Sequence, residues 1–365
     1  MSFNFKIPIL IAFFFFGYFL FGQNIKNLKY SEAIFEAHRI IDSLQQAQNI
    51  PGLDIAISID GEIVWSEGFG FSNLEHYVPI KTGETLFRVG SISKPLTAAA
   101  IGKLMDTGKL NLDTNIQTYL PYFPKKKYNI TVKQLAGHLG GIRSYKGNEF
   151  NSIIKYNSVK EGLNIFINDT LLFEPGTKYA YSSYGFNLLS AAIEGASGEN
   201  YLDFIQNEIF LPLKMTSTFA DKNEKIIPNR SAFYQIDANN TIQNANYVDN
   251  SNKWAGGGFL STTHDLIKFG EAMINKEFLS PKTIKLLTSS QELNNGKKTG
   301  YGMGWGIIKR QKLKGFGHHG ECVGGTTKFE VFPKEKLVFI VVSNASNTDY
   351  GNTIDRIIKK FIANK

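Results

Sequence analysis

The chain has one cysteine, Cys322, in 365 residues. A disulfide framework, an iron–sulfur cluster and a multi-cysteine zinc site are therefore excluded. None of the six histidines belongs to a His-Glu-x-x-His pair, which excludes a zincin. No Gly-x-x-x-x-Gly-Lys-Ser/Thr loop is present. Gly68-Phe69-Gly70 ends a strand pattern without opening a helix, so a dinucleotide fingerprint is absent too. Lys and Arg number 40 against 32 Asp and Glu, a net charge of +8 that no stretch gathers into a stripe. The longest basic run, Lys125-Lys126-Lys127, reads as a solvated loop, and nucleic acid is not an expected partner. No internal repeat, low-complexity tract or βαβ rhythm is visible. What is present, 42% hydrophobic and 20% charged residues, fits a folded chain with a sizeable core.

Residues 1–22 read as an address. Lys6 precedes an apolar run over residues 7–21, long for the core of a leader and short for a membrane span. Gly22 is small and Gln23 opens a polar stretch, so cleavage near Gly22 is expected, leaving residues 23–365 as one domain. An uncleaved anchor is the alternative, and the only expected link to a membrane. With no cysteine here, a lipoprotein is excluded. The protein is expected to be exported, periplasmic or secreted.

Apolar residues at helical spacing mark residues 31–48. Residues 53–59 alternate as a strand, Asp60-Gly61 turns, and residues 63–68 return. A second hairpin joins residues 328–332 to 337–342, and a helix follows over about 352–362. Strands at both chain ends with helical patterns between them predict an α+β fold. One antiparallel sheet, from residues 31–84 and 300–365, is flanked by helices and carries a mostly helical insert at about 85–270. The Asn-rich residues 237–252 read as an irregular surface connection.

The strongest local signal is FRVGSISKPLTA, residues 87–98. Ser91 and Lys94 are three apart, and Pro95 is tolerated only in a helix's first turn, which places the helix start near Ser91. A serine there lies among free backbone N–H donors, the groups an oxyanion needs. Its hydroxyl needs a base, and a desolvated lysine can act as one. Ser152-Ile-Ile-Lys155 has the same spacing but no glycine before the serine. Next comes Tyr181-Ser182-Ser183, ahead of a helix ending near Gly198. Tyr181 is a general base only if a neighbouring ammonium stabilises its phenolate. Third is GFGHHGECVGG, a Gly-rich entry to the strand at 328–332, where His318 or His319 can contact an anionic or carbonyl group. His138 in HLGGIR reads as a structural histidine, and Cys322 as a small buried thiol.

Ser-x-x-Lys, then Tyr-Ser-x, then His-x-Gly before a C-terminal strand pair resembles the serine beta-lactamase and penicillin-binding protein superfamily, class C-like branch. The segments HLGGIRSY and YVDNSNKWAGGGFLSTTHDLIKFGEAM are similar to the mitochondrial serine beta-lactamase-like group and its bacterial relatives. The resemblance implies a beta-lactamase/transpeptidase-like fold. It implies Ser91 as the acylated nucleophile, Lys94 as proton relay and Tyr181 as general base. It makes the backbone N–H groups of Ser91 and Glu321 the oxyanion hole, and Ser183, His318 and Gly320 substrate-binding residues. No metal or organic cofactor is implied. Two departures matter: Ser183 replaces an asparagine, and His318 stands where a lysine is common. Short esters are therefore expected to be better substrates than beta-lactams. Any preference for carboxylates is expected to strengthen as pH falls through ~6.5, the ordinary imidazole value. The expected function is an exported serine hydrolase acting through an acyl-enzyme on small esters or peptides, with self-association left open. Its rivals are a non-catalytic cell-wall-peptide-binding or filament-forming member of the fold, and a thiol enzyme using Cys322.

Overall fold

Strand β1 (Gly52–Ile59) is buried along its whole length in a computed structural model that describes residues 28–365. The expected leader lies outside those residues. Leu53, Ile55 and Ile57 join one apolar cluster and Ala56 joins another, so β1 has a core on both faces. Its polar residues find partners across the second face. Asp54 accepts bonds from Gly83 N–H at 2.9 Å and the Thr263 hydroxyl at 2.8 Å, and Ser58 bonds Glu271. Buried polar groups without such partners would cost stability.

The main sheet has seven strands in the order β3-β2-β1-β7-β6-β5-β4. These are β2 (Glu62–Asn73), β3 (Val78–Pro79), β4 (Gly306–Arg310), β5 (Leu313–Cys322), β6 (Gly325–Phe332) and β7 (Leu337–Ser343). All pairings are antiparallel, and β1 joins the two chain ends by pairing with both β2 and β7. Terminal helix α1 (Ser31–Ala47) packs on one face, where Phe361 of the last helix stacks on Tyr30 and Trp65. The other face meets α2 (Ser93–Asp106) and α5 (Thr263–Asn275) of the insert, with Trp305, Phe269 and Phe329 in mutual contact. The insert also contains α3 (Ser183–Ser197) and the short α4 (Trp254–Gly257).

Two readings of the sequence need correction. The Gly-rich third motif is not a hairpin entry; it forms strand β5 itself. Its glycines are needed because the strand runs close to other backbone: a Cβ on Gly317 would lie 2.1 Å from the Phe329 carbonyl oxygen, and one on Gly320 2.1 Å from that of Val89. Residues 237–252 are not simply a surface connection. A small hairpin pairs Tyr234–Ile236 with Ile242–Asn244, and residues 248–253 are then buried. Their polar side chains are used internally, as when Asn250 donates to Asp221 at 2.8 Å.

Candidate active site

Three chain segments converge at the boundary between sheet and insert. The first is a tight turn. A short strand, Phe87–Arg88, pairs with Phe259–Ser261 and delivers the chain to a 3₁₀ turn, Gly90–Ile92, which runs into α2. Gly90 has φ +52°, and a Cβ there would lie 2.7 Å from the Glu321 carbonyl oxygen. This is the glycine that Ser152 lacks. Ser91 therefore sits at the mouth of the helix, partly exposed, against the backbone of β5 at Glu321. Strand β4 pairs with β5 only as far as Gly317, so the outer edge of His318–Cys322 carries no strand partner.

Lys94, one turn on, is fully buried. Its amine is 3.0 Å from Ser91 Oγ and 3.1 Å from Ser183 Oγ, and it donates to the Gly256 carbonyl of α4. The rings of Tyr181 and Phe186 lie 4.7 and 5.7 Å from it. None of these contacts is a carboxylate. Burial alone lowers the lysine pKa well below its usual range, which favours the neutral amine. A neutral amine has two N–H donors and one lone pair. Gly256 and Ser183 take the donors, leaving the lone pair for the Ser91 hydroxyl.

The second segment carries Tyr181. The Ser182 hydroxyl caps α3 by accepting from Gly185 N–H at 2.9 Å, and it donates to the Arg143 carbonyl at 2.7 Å. The Ser182 N–H donates to His138 Nδ1 at 3.1 Å, which leaves that ring's proton on Nε2. His138 Nε2 has no hydrogen-bond partner and is buried among the rings of Tyr181, Phe186 and Tyr301. His138 is thus the structural histidine the sequence suggested, and its ring also packs against Tyr181. The Tyr181 phenol bonds Ser91, yet burial raises its pKa, so it is held as the phenol. The condition set for a Tyr181 general base, a phenolate stabilised by an ammonium, is therefore not met at rest, because desolvation acts against both charges of such a pair. Ser183 is also placed differently from the expectation. It is 4% exposed and bonded to Lys94, inside the lysine's cage and off the open face. The Tyr145 hydroxyl bonds Ser183 from the other side.

The third segment is β5. His318 Nδ1 donates to the His319 carbonyl at 2.6 Å, so Nε2 accepts from the Tyr301 hydroxyl at 2.9 Å. Burial pushes the His318 pKa down to about 3. The expected charging near pH 6.5 is corrected accordingly: both ring nitrogens are bonded and the ring stays neutral. Long-range ¹H–¹⁵N spectra should show one neutral, Nδ1-protonated tautomer for His318 from pH 5.5 to 8. An imidazolium growing in near pH 6.5 would contradict this. Gly320 packs against Val89, and the Glu321 side chain turns out to meet His319 Nε2 at 2.7 Å.

The competing candidates separate from this cluster. Ser152 Oγ accepts from Ile154 N–H at 3.2 Å, and Lys155 pairs with Glu224 at 3.3 Å on the surface. Cys322 is buried, and desolvation pushes its thiol up to about 12, far from a thiolate. Sequence reasoning assigned no role to Gly256, Tyr145 or Tyr301, although the first two lie in segments it singled out. Among the described residues, no group of three or more His, Cys, Asp or Glu could hold a metal ion.

A beta-lactamase family model matches residues 37–361. The chain belongs to the beta-lactamase family. The human mitochondrial serine beta-lactamase-like protein LACTB is 33% identical over 401 aligned residues, covering 84% of this chain and 73% of its own. An octameric penicillin-binding protein homologue from Pyrococcus abyssi superposes with a TM-score of 0.78 at 26% identity, over 91% of this chain and 78% of that one. D-amino acid amidase from Ochrobactrum anthropi SV3 gives 0.79 at 20% identity, over 90% of this chain and all of its own, and shares the fold. The beta-lactamase family thus accounts for both the sheet and the insert that frame Ser91.

Proposed function

We propose that this beta-lactamase family member is an exported serine hydrolase that acts through an acyl-enzyme on small esters or short peptides. The observation that carries the reading is a buried, carboxylate-free amine 3.0 Å from a partly exposed serine hydroxyl. In the first step Ser91 Oγ attacks the substrate carbonyl as its proton passes to the Lys94 lone pair. The developing oxyanion is held by the backbone N–H groups of Ser91 and Glu321. The Tyr181 phenol gives its proton to the leaving oxygen or nitrogen, and the Lys94 ammonium restores it. Water then attacks the acyl-enzyme, with Lys94 again accepting a proton, and the acid departs as Ser91 is reprotonated.

Substrate class follows from charge. Lys94 and His318 are both held neutral, so neither supplies the cation that would bind a penicillin-type carboxylate. Ser183 is occupied with Lys94 and offers no amide to an acyl side chain. Aryl acetates and small amides therefore suit the site better than beta-lactams. A solved relative in fold is a D-amino acid amidase, which makes D-amino acid amides the first nitrogen substrates to try. The test compares kcat/KM for 4-nitrophenyl acetate, D-phenylalanine amide and a chromogenic cephalosporin, on wild type and Ser91→Ala. The acetate or the amide should be turned over fastest, and by wild type alone. Cephalosporin as the best substrate would overturn the assignment of class.

A further inference from the structure

A groove of about 310 Å³ leaves the site on the Tyr181 side. Tyr179, Tyr181, Tyr301 and His318 form its wall near Ser91. It then runs along the sheet edge past Gly306 and Gly317, a facing pair at the end of the β4–β5 ladder, and past the Ile308 side chain, which packs over Gly317. Beyond them it ends at His319, Lys328 and Glu330. Register explains the change of face. His319 pairs with Lys328 and Gly317 with Glu330, so these point to the face opposite that of His318 and Phe329.

The charges at the far end are unevenly matched. Glu330 is held by a two-point pair with Arg310, which also reaches Asp355 at 2.9 Å. Glu321 is taken by His319 at 2.7 Å. Glu330, Glu321 and Asp349 all act on Lys328 through space, and one Asp349 carboxylate oxygen accepts from Gly351 N–H. Lys328 itself, half-buried on β6, makes no hydrogen bond or ion pair among the described residues. Lys328 is the lining ammonium, and the two lining or neighbouring carboxylates that act on it through space, Glu330 and Glu321, are each bonded directly to another group.

We propose that Lys328 anchors a carboxylate on the leaving-group part of the substrate, which lies along the Tyr179–Tyr301 wall and follows the sheet edge past Gly306 and Gly317. The proposal rests on the hydrolase reading and deepens it. Tyr181, the proton donor to the leaving atom, lines the near end of the groove, so whatever departs must start there. The wall is aromatic and the end is cationic. The matching leaving group has a flat or apolar body and a terminal carboxylate, as does an aromatic amino acid released from an amide or ester. A half-buried ammonium with no direct hydrogen-bond or ion-pair partner among the described residues forms a stronger charge-assisted bond to such a group than a solvated one would.

The test has two arms. In the first, kcat/KM is measured for 4-carboxyphenyl acetate and phenyl acetate, and their ratio is compared among wild type, Lys328→Met, Lys328→Arg and, as an exposed control on β5, Lys314→Met. The ratio should fall on the order of tenfold in Lys328→Met and persist in Lys328→Arg and Lys314→Met. An equal ratio in wild type and Lys328→Met would overturn the proposal. In the second arm, binding of 4-hydroxybenzoate and of phenol to Ser91→Ala protein is followed by calorimetry, with and without Lys328→Met. The benzoate should bind more tightly than phenol, and only while Lys328 is present. If neither ester is turned over but this binding pattern holds, the anion site stands and the hydrolase reading falls. If the esters are turned over and the benzoate binds no better than phenol, the anion site falls and the hydrolase reading stands.

Discussion

Lys94→Ala is expected to slow acylation of Ser91 by roughly 10³- to 10⁴-fold, the range for removing a positioned base. In the proposed mechanism the amine accepts the Ser91 proton, and its hydrogen-bond partners among the described residues include no carboxylate or imidazole to replace it. Lys94→Arg should not restore the rate, because a guanidinium stays protonated and has no lone pair to offer. Tyr181→Phe should also lose most of the rate, since the phenol bonds Ser91 and, in the proposed mechanism, hands on the proton. The double variant should be no slower than about the worse single one, because groups that move one proton are not additive. The measurement is the rate of burst-phase release from an aryl acetate for each variant. Losses that multiply in the double variant would mean two independent roles.

Arg88→Met is expected to lower stability by roughly 3 kcal/mol or more, as when one partner of a buried ion pair is removed. Arg88 donates to Asp221 at 2.7 Å and to the Val323 carbonyl at 2.9 Å, and its guanidinium stacks 3.9 Å from the centre of the Phe233 ring. Both partners of the ion pair are buried. Losing the arginine leaves Asp221 dependent on Asn250 at 2.8 Å and Arg230 at 3.4 Å. The Arg88 bond to Val323 also ties the strand before Ser91 to the turn after β5, so the elements of the proposed oxyanion hole should loosen with it. Urea unfolding of Arg88→Met and of Arg88→Met/Asp221→Leu provides the check. The double variant should recover part of the loss, because it removes the stranded charge as well. A single-variant effect below about 1 kcal/mol would show that the pair is dispensable.

Ser91 and Lys94 were legible because their relation is local. A helix start, a glycine before it and Pro95 after it fix the geometry within one turn. The cap at Ser182 was legible for the same reason, and so were the inner strands β1, β2, β6 and β7, marked by short apolar runs and the turns between them. The rest depends on contacts far apart in sequence. Gly256 reaches Lys94 across 162 residues, and Ser183 reaches it across 89. Tyr301 meets His318 only because β4 and β5 fold back together. The protonation of His318 was misjudged because an imidazole's ordinary pKa says nothing of its burial. Residues 237–252 were misjudged because asparagines suit turns and water equally well as a buried network. Strand β5 was hidden by its glycines, which read as loop and serve here to let the strand pass close to Val89 and Phe329.

The central claim is that Ser91 is a nucleophile activated by Lys94. Intact mass after treatment with a fluorophosphonate probe tests it most directly, on wild type, Ser91→Ala and Lys94→Ala. Wild type should gain one adduct, mapped to the peptide containing Ser91. Ser91→Ala should gain none, and Lys94→Ala should label far more slowly. An adduct on Ser152 or Cys322, or equal labelling of wild type and Ser91→Ala, would contradict the account.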